Sequence, residues 1–256
     1  MFSEERKKQI IELLATNERV LAKELADLFH VSIDSIRRDL TAMEEEGLLK
    51  RTHGGAIPIQ KTRISPSPPA IRYSEGSEYD QAIAKLAAAQ IKDQDTVFIG
   101  GASIHYAMLT FLPRDIHFTV VTNSVKIADS LREEEHIDLY LIGGKVKKSG
   151  NITDALSHEF IRHFNLDICF LTGGGLTATG LSTATPEVAL GARLIAEHSR
   201  TVICLMGHHK FGSASFAKIL PIAKLNLIIT DEETSEDKIR MIKEQGTHII
   251  VAKKEA

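Results

Sequence analysis

From residue 80 onward, seven short apolar runs alternate with segments of helical period, and this alternation constrains the fold more than any other feature. The runs cover residues 96–99, 119–122, 139–142, 168–171, 201–205, 227–230 and 248–251. The helical segments cover 80–91, 103–111, 124–131, 153–163, 186–197 and 235–245. Strands covered on both faces read as continuous apolar runs, and parallel neighbours need a crossover long enough for a helix. The pattern predicts an α/β domain over 80–256 with a mixed or mostly parallel sheet.

The preceding residues follow a different rule. Four of the seven prolines, Pro58, Pro66, Pro68 and Pro69, crowd into a dozen positions with Ser65 and Ser67 among them. Such a stretch is stiff and extended, so 58–79 reads as a linker and 1–57 as a separate small domain. In that domain Ser3 caps a first helix running to about Thr16, with Ile10, Leu13 and Leu14 at helical spacing. Leu21, Leu25, Leu28 and Phe29 form the apolar stripe of a second helix, closed by His30 and Val31. Ser32 caps a third, in which Ile33, Ile36, Leu40 and Met43 share one side while Asp34, Ser35 and Arg38 face away.

A helix with an Arg and small polar groups near its exposed N-terminal end suits a DNA major groove: Arg38 reads guanine, Ser35 a base or phosphate. Arg37, on the flank, meets a phosphate. Taken alone, the Arg pair reads more simply as solvated surface charge. The continuation adds weight, because Gly47 ends the helix and residues 48–57 form a hairpin turning at Gly54-Gly55, where positive φ is available. Lys50, Arg51 and His53 then lie on a basic wing beside the reading helix. The candidate DNA-binding residues are Ser32, Asp34, Ser35, Arg37, Arg38, Lys50, Arg51 and His53.

Ser32 to Leu40, followed by Arg51-Thr52-His53-Gly54-Gly55-Ala56, resembles the N-terminal signature of DeoR-type bacterial transcriptional regulators. Ser35 stands where that family more often has Thr. The net charge of −3, with Glu44-Glu45-Glu46 behind the reading helix, excludes bulk electrostatic attraction to nucleic acid. Binding then rests on Arg37, Arg38, Lys50, Arg51, Lys61 and Arg63, and so few phosphate contacts need paired modules. The expected partners are a double-stranded DNA operator and further copies of the chain, as a dimer or tetramer.

In the larger domain several strands end in small or polar residues: Gly100-Gly101-Ala102-Ser103, Thr122-Asn123-Ser124, Gly143-Gly144-Lys145, Gly173-Gly174-Gly175, and Gly207 before Lys210. Carboxyl ends of parallel strands line one crevice, glycines let backbone N–H groups approach a ligand, and lysines add charge. The pattern predicts a pocket for a small phosphorylated or carboxylated molecule, built from Gly101, Ala102, Ser103, Thr122, Asn123, Gly143, Gly144, Lys145, Gly173, Gly174 and Lys210. Neither nucleotide-binding fingerprint is present, so no cofactor is expected. His208-His209 is not spaced for a metal. Cys169 and Cys204, in apolar runs, read as structural thiols. With no cleavable signal, disulfide framework or apolar run near 18 residues, the expectation is a reducing cytoplasm and no membrane.

The resemblance continues here through Thr122-Asn123-Ser124, Gly143-Gly144, Gly180-Leu181, Lys210-Phe211-Gly212 and Ile229-Thr230-Asp231. It implies a fold similar to ribose-5-phosphate isomerase and CoA-transferases, a sugar phosphate as effector, and repression of a carbohydrate-metabolism operon. Gly100, Ala102, Ile104 and Gly207 depart from the family pattern, the first and last standing where Asp is usual. The alternative is a sugar-phosphate isomerase-like enzyme with a DNA-binding appendage. That chemistry needs a carboxylate base, for which Asp154 and Glu187 are the candidates, and each reads more simply as a partner for a helix dipole.

Overall fold

The computed structural model describes residues 3–17, 19–46, 48–58 and 76–254. They divide into two compact units, one within residues 1–61 and one within 62–256. Gly47, Lys61, Arg63, Pro66, Pro68 and Pro69, each given a part above, lie outside the described residues.

The smaller unit runs α1 (Ser3–Asn17), β1 (Val20–Leu21), α2 (Ala22–Phe29), α3 (Ile33–Glu45), β2 (Leu49–Thr52) and β3 (Gly55–Pro58). Ile10, Leu14, Val20, Leu25, Phe29, Ile36, Leu40, Met43 and Leu49 form its core. The second helix differs from expectation. Leu25 and Phe29 are buried, but Leu21 and Leu28 are 38% and 57% exposed. Leu21 is extended, in β1, and so off the helical phase, whereas Ala22 and Ala26 share the buried face with Leu25 and Phe29. Leu28 falls about 100° round the helix from them. Ile33, in the first turn of α3, is likewise exposed. Asp39 is buried instead, paired with Arg6 of α1.

The wing also turns one residue earlier than predicted. Thr52 pairs with Gly55, leaving His53-Gly54 as the loop, and neither Gly54 nor Gly55 has a positive φ. Gly55 serves a close approach: it pairs with Leu21 of β1, and a Cβ there would land on the Val20 carbonyl oxygen.

The larger unit is built on seven parallel strands: β4 (Thr96–Ile99), β5 (Phe118–Thr122), β6 (Ile137–Leu141), β7 (Leu166–Leu171), β10 (Ser199–Leu205), β12 (Leu227–Asp231) and β13 (His248–Ala252). All seven predicted runs are strands. Their order is β13-β12-β10-β7-β4-β5-β6, and every pairing is parallel. The helices are α4 (Glu78–Ala88), α5 (Ser103–Met108), α6 (Val125–Leu131), α7 (Ala155–Ile161), α8 (Pro186–Glu197) and α9 (Glu236–Glu244). Ser77 and Asp80 form a reciprocal capping box on α4. Two apolar layers cover the sheet, one including Phe98, Cys169, Leu171 and Cys204, the other Val97, Ile99, Phe170 and Leu205. Side chains of opposite parity on one strand thus enter opposite layers.

An antiparallel sheet that the apolar pattern did not predict follows β7. It contains β8 (Gly175–Thr177), β9 (Gly180–Thr183) and β11 (Ala217–Leu220), in the order β11-β9-β8. Gly180, at φ +130°, begins β9, and a Cβ there would strike the Leu220 carbonyl oxygen. Gly175, which read as part of a ligand loop, is here a strand residue, and a Cβ on it would strike the Ser213 carbonyl oxygen, a position that serves close backbone approach.

Candidate functional site

From β4 the chain builds outward to β5 and β6, then returns to the other side of β4 with β7. The loops leaving β4 and β7 therefore diverge, which opens a crevice beyond their carboxyl ends. A cavity of about 230 Å³ occupies that position. Gly100 to Ser103 and His105 line it from the β4 side, Thr172 to Gly174 from the β7 side. Asn123, Asn151, Thr153, Ser157, His158, Thr183, Thr185 and Lys210 complete the polar part, over apolar groups that include Phe98, Ile152, Ile161, Phe170, Leu171 and Ile195.

Of the residues predicted for the pocket, Gly101, Ala102, Ser103, Asn123, Gly173, Gly174 and Lys210 line this cavity together. Thr122, Gly143, Gly144 and Lys145 do not. Thr122 is fully buried, its hydroxyl accepting from the Ser124 N–H at 3.1 Å. Residues 143–145 wrap a carboxylate of the protein itself. The Lys145 N–H donates to Asp154 Oδ2 at 3.0 Å, and a Cβ on Gly144, at φ +139°, would overlap that carboxylate and Ile152. Asp154 Oδ1 accepts from the Ser157 N–H and so caps α7. The expected extra charge from Lys145 is absent from the lining, since the turn is spent on a helix cap.

The glycines that do line the cavity are not simply open donors. A Cβ on Gly101 would overlap Asn151, whose Nδ2 donates to the Gly101 carbonyl at 3.1 Å. The Gly174 N–H already donates to Ser182 O at 2.8 Å. What remains unsatisfied is mostly side chain: Asn123 Oδ1, Thr153 Oγ1, His158 Nε2 and Thr172 Oγ1 are buried without a hydrogen-bond partner. Asn123 is oriented by its own Nδ2, which donates to Ile152 O at 2.9 Å. Buried polar groups normally find partners, so a set of orphans around one cavity marks where a polar ligand or water is accommodated. Asn151, Thr153, Ser157, His158, Thr172 and His105 were missed by sequence reasoning. The one signal, for the four of them between 151 and 158, is a density of small polar residues in 149–158.

No carboxylate lines the cavity among the described residues, and Lys210 is its lysine. Lys210 sits in a short turn, His208–Lys210, held by Asp231 at the end of β12. Asp231 is fully buried and accepts from the His208 N–H at 2.8 Å, with His208 Nδ1 at 2.7 Å. Burial, chiefly, lowers His105 to about 4 despite a raising contribution from the Gly100 backbone, and the Lys210 charge lowers it further.

Asp154 and Glu187 lie outside the lining. The Lys145 N–H bond above all holds the Asp154 carboxyl below its usual range, and Glu187 is lowered first by its own backbone N–H. Carboxyls stabilised as anions in this way are poor bases. Burial pushes both Cys169 and Cys204 up to about 12. Among the described residues no group of three or more His, Cys, Asp or Glu is placed to hold a metal, and no helix is long and apolar enough to cross a membrane.

On the smaller unit, Ser32 Oγ accepts from the Ser35 N–H at 3.2 Å and caps α3. The two hydroxyls are 2.9 Å apart, so Ser35 belongs to the cap and is only half-exposed. Asp34 and Arg37 form an exposed pair at 3.1 Å. Arg38 is exposed without an ion pair among the described residues. Lys50, Arg51 and His53 are exposed on the hairpin. Arg51 is tied to α3, its side chain donating to Thr41 Oγ1 and its N–H to Glu44 Oε1, both at 2.7 Å.

Residues 6–62 match the DeoR-like helix-turn-helix domain and residues 76–232 the DeoR C terminal sensor domain. The HTH-type transcriptional repressor GlcR of Bacillus subtilis is 30% identical, over 100% of this chain and 98% of its own. The HTH-type transcriptional regulator GolR of Listeria innocua is 30% identical over 98% and 100%. The glycerol-3-phosphate regulon repressor of Escherichia coli is 31% identical over 87% and 88%. Among solved structures, ribose 5-phosphate isomerase A of Methanocaldococcus jannaschii overlaps 52% of this chain and 53% of its own, at a TM-score of 0.39 and 14% identity. The eIF-2B translation initiation factor of Pyrococcus horikoshii overlaps 89% and 82%, at a TM-score of 0.44 and 15% identity. Overlaps this loose carry no argument. The two domain matches and the full-length likeness do: the chain belongs to the DeoR family of DNA-binding transcriptional regulators.

Proposed function

We propose that this regulator is a repressor of a carbohydrate-metabolism operon, binding a double-stranded operator as a homo-oligomer in the cytoplasm and responding to a small phosphorylated metabolite in the cavity at the β4–β7 crossover. The observation that carries the reading is a set of buried polar atoms without partners, on Asn123, Thr153, His158 and Thr172, in a cavity lined among the described residues by Lys210 and by no carboxylate. Such a set suits a hydroxylated anion. The name of the Escherichia coli relative, a glycerol-3-phosphate regulon repressor, agrees with that chemistry.

In this reading Arg38 contacts a base edge, while Arg37, Lys50, Arg51 and His53 neutralise phosphates, with Ser32, Asp34 and Ser35 fixing the start of the reading helix. Gly101, Ala102, Ser103, Asn123, Gly173, Gly174 and Lys210 contact the effector. A ligand moves the equilibrium only by its different affinity for the DNA-bound and free states. The test is a titration of sugar phosphates into a complex of the full chain with an operator selected from random duplexes, followed by fluorescence anisotropy. Release of DNA by a sugar phosphate, abolished by Lys210→Ala, is the expected result. Failure of every phosphorylated compound to alter operator affinity defeats the reading.

A further inference from the structure

His105 projects from α5 into the floor of the cavity and is 4% exposed. Its place depends on Gly100, because a Cβ there would come within 3.2 Å of Nδ1 and 3.3 Å of the Phe98 ring. Although the Gly100 backbone is close enough to raise the ring's basicity, neither ring nitrogen completes a hydrogen bond of ordinary geometry. A buried imidazole left in this way is costly unless something in the cavity pairs with it.

The groups around it define that partner. Lys210, from the turn after β10, is the charge that acts on the ring, and its effect is repulsive. His158, on α7, is the other titratable side chain of the lining, and no carboxylate faces the cavity among the described residues. The countercharge an imidazolium needs must therefore arrive with the ligand.

We propose that His105 is a ligand-binding residue of this cavity, its imidazole donating to an anionic oxygen of the effector and taking up one proton from solvent as the effector binds. This rests on the reading that the cavity holds an anionic metabolite. In the free protein burial and Lys210 keep the ring neutral; an oxyanion beside it restores its basicity. Affinity then rises as pH falls, by up to about tenfold per pH unit between the free and bound pKa values, and is flat above the bound value.

The probe is inorganic sulfate, whose charge is constant across the range, titrated calorimetrically into the full chain between pH 5.5 and 8 in buffers of different ionisation heat. The wild-type protein is expected to take up protons on binding, with affinity falling as pH rises. His105→Gln, which keeps a donor but cannot titrate, is expected to bind without pH dependence, and His105→Phe at least tenfold more weakly. If His105→Phe fails to fold, by its thermal midpoint, the Gln variant decides alone. Absence of proton uptake in the wild type overturns the proposal, as does an unchanged pH slope in His105→Gln. If sugar phosphates release operator DNA while proton uptake is absent, only the role of His105 fails. If the Gln variant loses the slope but no phosphorylated compound affects DNA binding, the site stands and effector control fails.

Discussion

Replacing Asp39 with Ala should unfold much of the DNA-binding unit without touching a DNA-facing group. Asp39 lies on the inner side of α3, its side chain 9% exposed, and Arg6 of α1 is 11% exposed. Arg6 Nε and Nη2 both lie 2.8 Å from Oδ2. Removing the carboxylate breaks a buried ion pair, a change that typically costs about 3–5 kcal/mol. A unit of this size has on the order of 3–9 kcal/mol in total, so the loss is most of what holds α1 against the reading helix. About two to nearly four decades of amide protection, at about 1.4 kcal/mol per decade, should vanish from peptides spanning 33–45, measured by hydrogen exchange and mass spectrometry on the full chain. The paired replacement Arg6→Met with Asp39→Leu puts apolar groups in both places and should recover most of the protection, because no charge is left buried alone. If Asp39→Ala costs less than about 1 kcal/mol, below even a typical broken buried pair, or if the double variant is as damaged as the single, the ion pair is not what fastens these helices.

Gly55→Ala should destabilise the wing by about 1–3 kcal/mol or more, the usual cost of overpacking, since its Cβ would overlap the Val20 carbonyl oxygen; loss of protection at Ala22, whose N–H donates to Gly54 O, reports it. Arg38→Ala should relax operator sequence preference while Lys50→Ala weakens specific and random duplexes alike, and equal losses on both DNAs for both variants would sink that division. The lowered Asp154 carboxyl stabilises its turn above the ordinary carboxylate pKa and ceases to do so as pH falls through the lowered value. Amide protection at Lys145 and Ser157 by NMR should accordingly persist to below about pH 4, and be weakened at neutral pH by Asp154→Asn. Cys169 and Cys204, buried and raised to about 12, should resist iodoacetamide at pH 8 until the protein is denatured.

The parallel sheet was legible because its inner strands are shielded on both faces, which leaves an uninterrupted apolar run such as residues 168–171, and even the partly exposed edge strands β6 and β13 keep apolar runs. The antiparallel sheet was not. Gly175 and Gly180 begin its first two strands, and their purpose, close backbone approach to Ser213 and Leu220, exists only once distant segments meet. The same limit explains Leu21 and Leu28. Apolar spacing alone does not reveal that the chain is still extended at Leu21, or that Ala22 and Ala26 fill the buried side of α2. At the cavity, glycine clusters correctly marked the ends of β4 and β7. Gly143-Gly144-Lys145 looked alike in sequence, yet a carboxylate nine residues away claims it. Asn151 meets Gly101 across 50 positions, a juxtaposition no local pattern encodes.

The chemistry of the cavity follows from how it is assembled. Its glycines bring chain segments together, so most of them shape the walls while side chains from elsewhere supply the polar groups. A carboxylate at position 100 or 207, as the family pattern would have it, cannot simply be added here. At 100 even a Cβ would be pressed between His105 and Phe98, and at 207 it would come within 3.0 Å of the His209 ring and 3.6 Å of Asp231. Like charges that close to a buried carboxylate disfavour each other's ionisation. The two glycines and the two histidines are thus linked choices: replacing either glycine with Asp requires its histidine to move. The substitution Gly100→Asp should consequently give an acidic cavity only when combined with a smaller residue at 105. Alone, it should lower the thermal midpoint of the larger unit. A midpoint equal to wild type for the single variant would show that the imidazole has room to yield and that the two positions are independent.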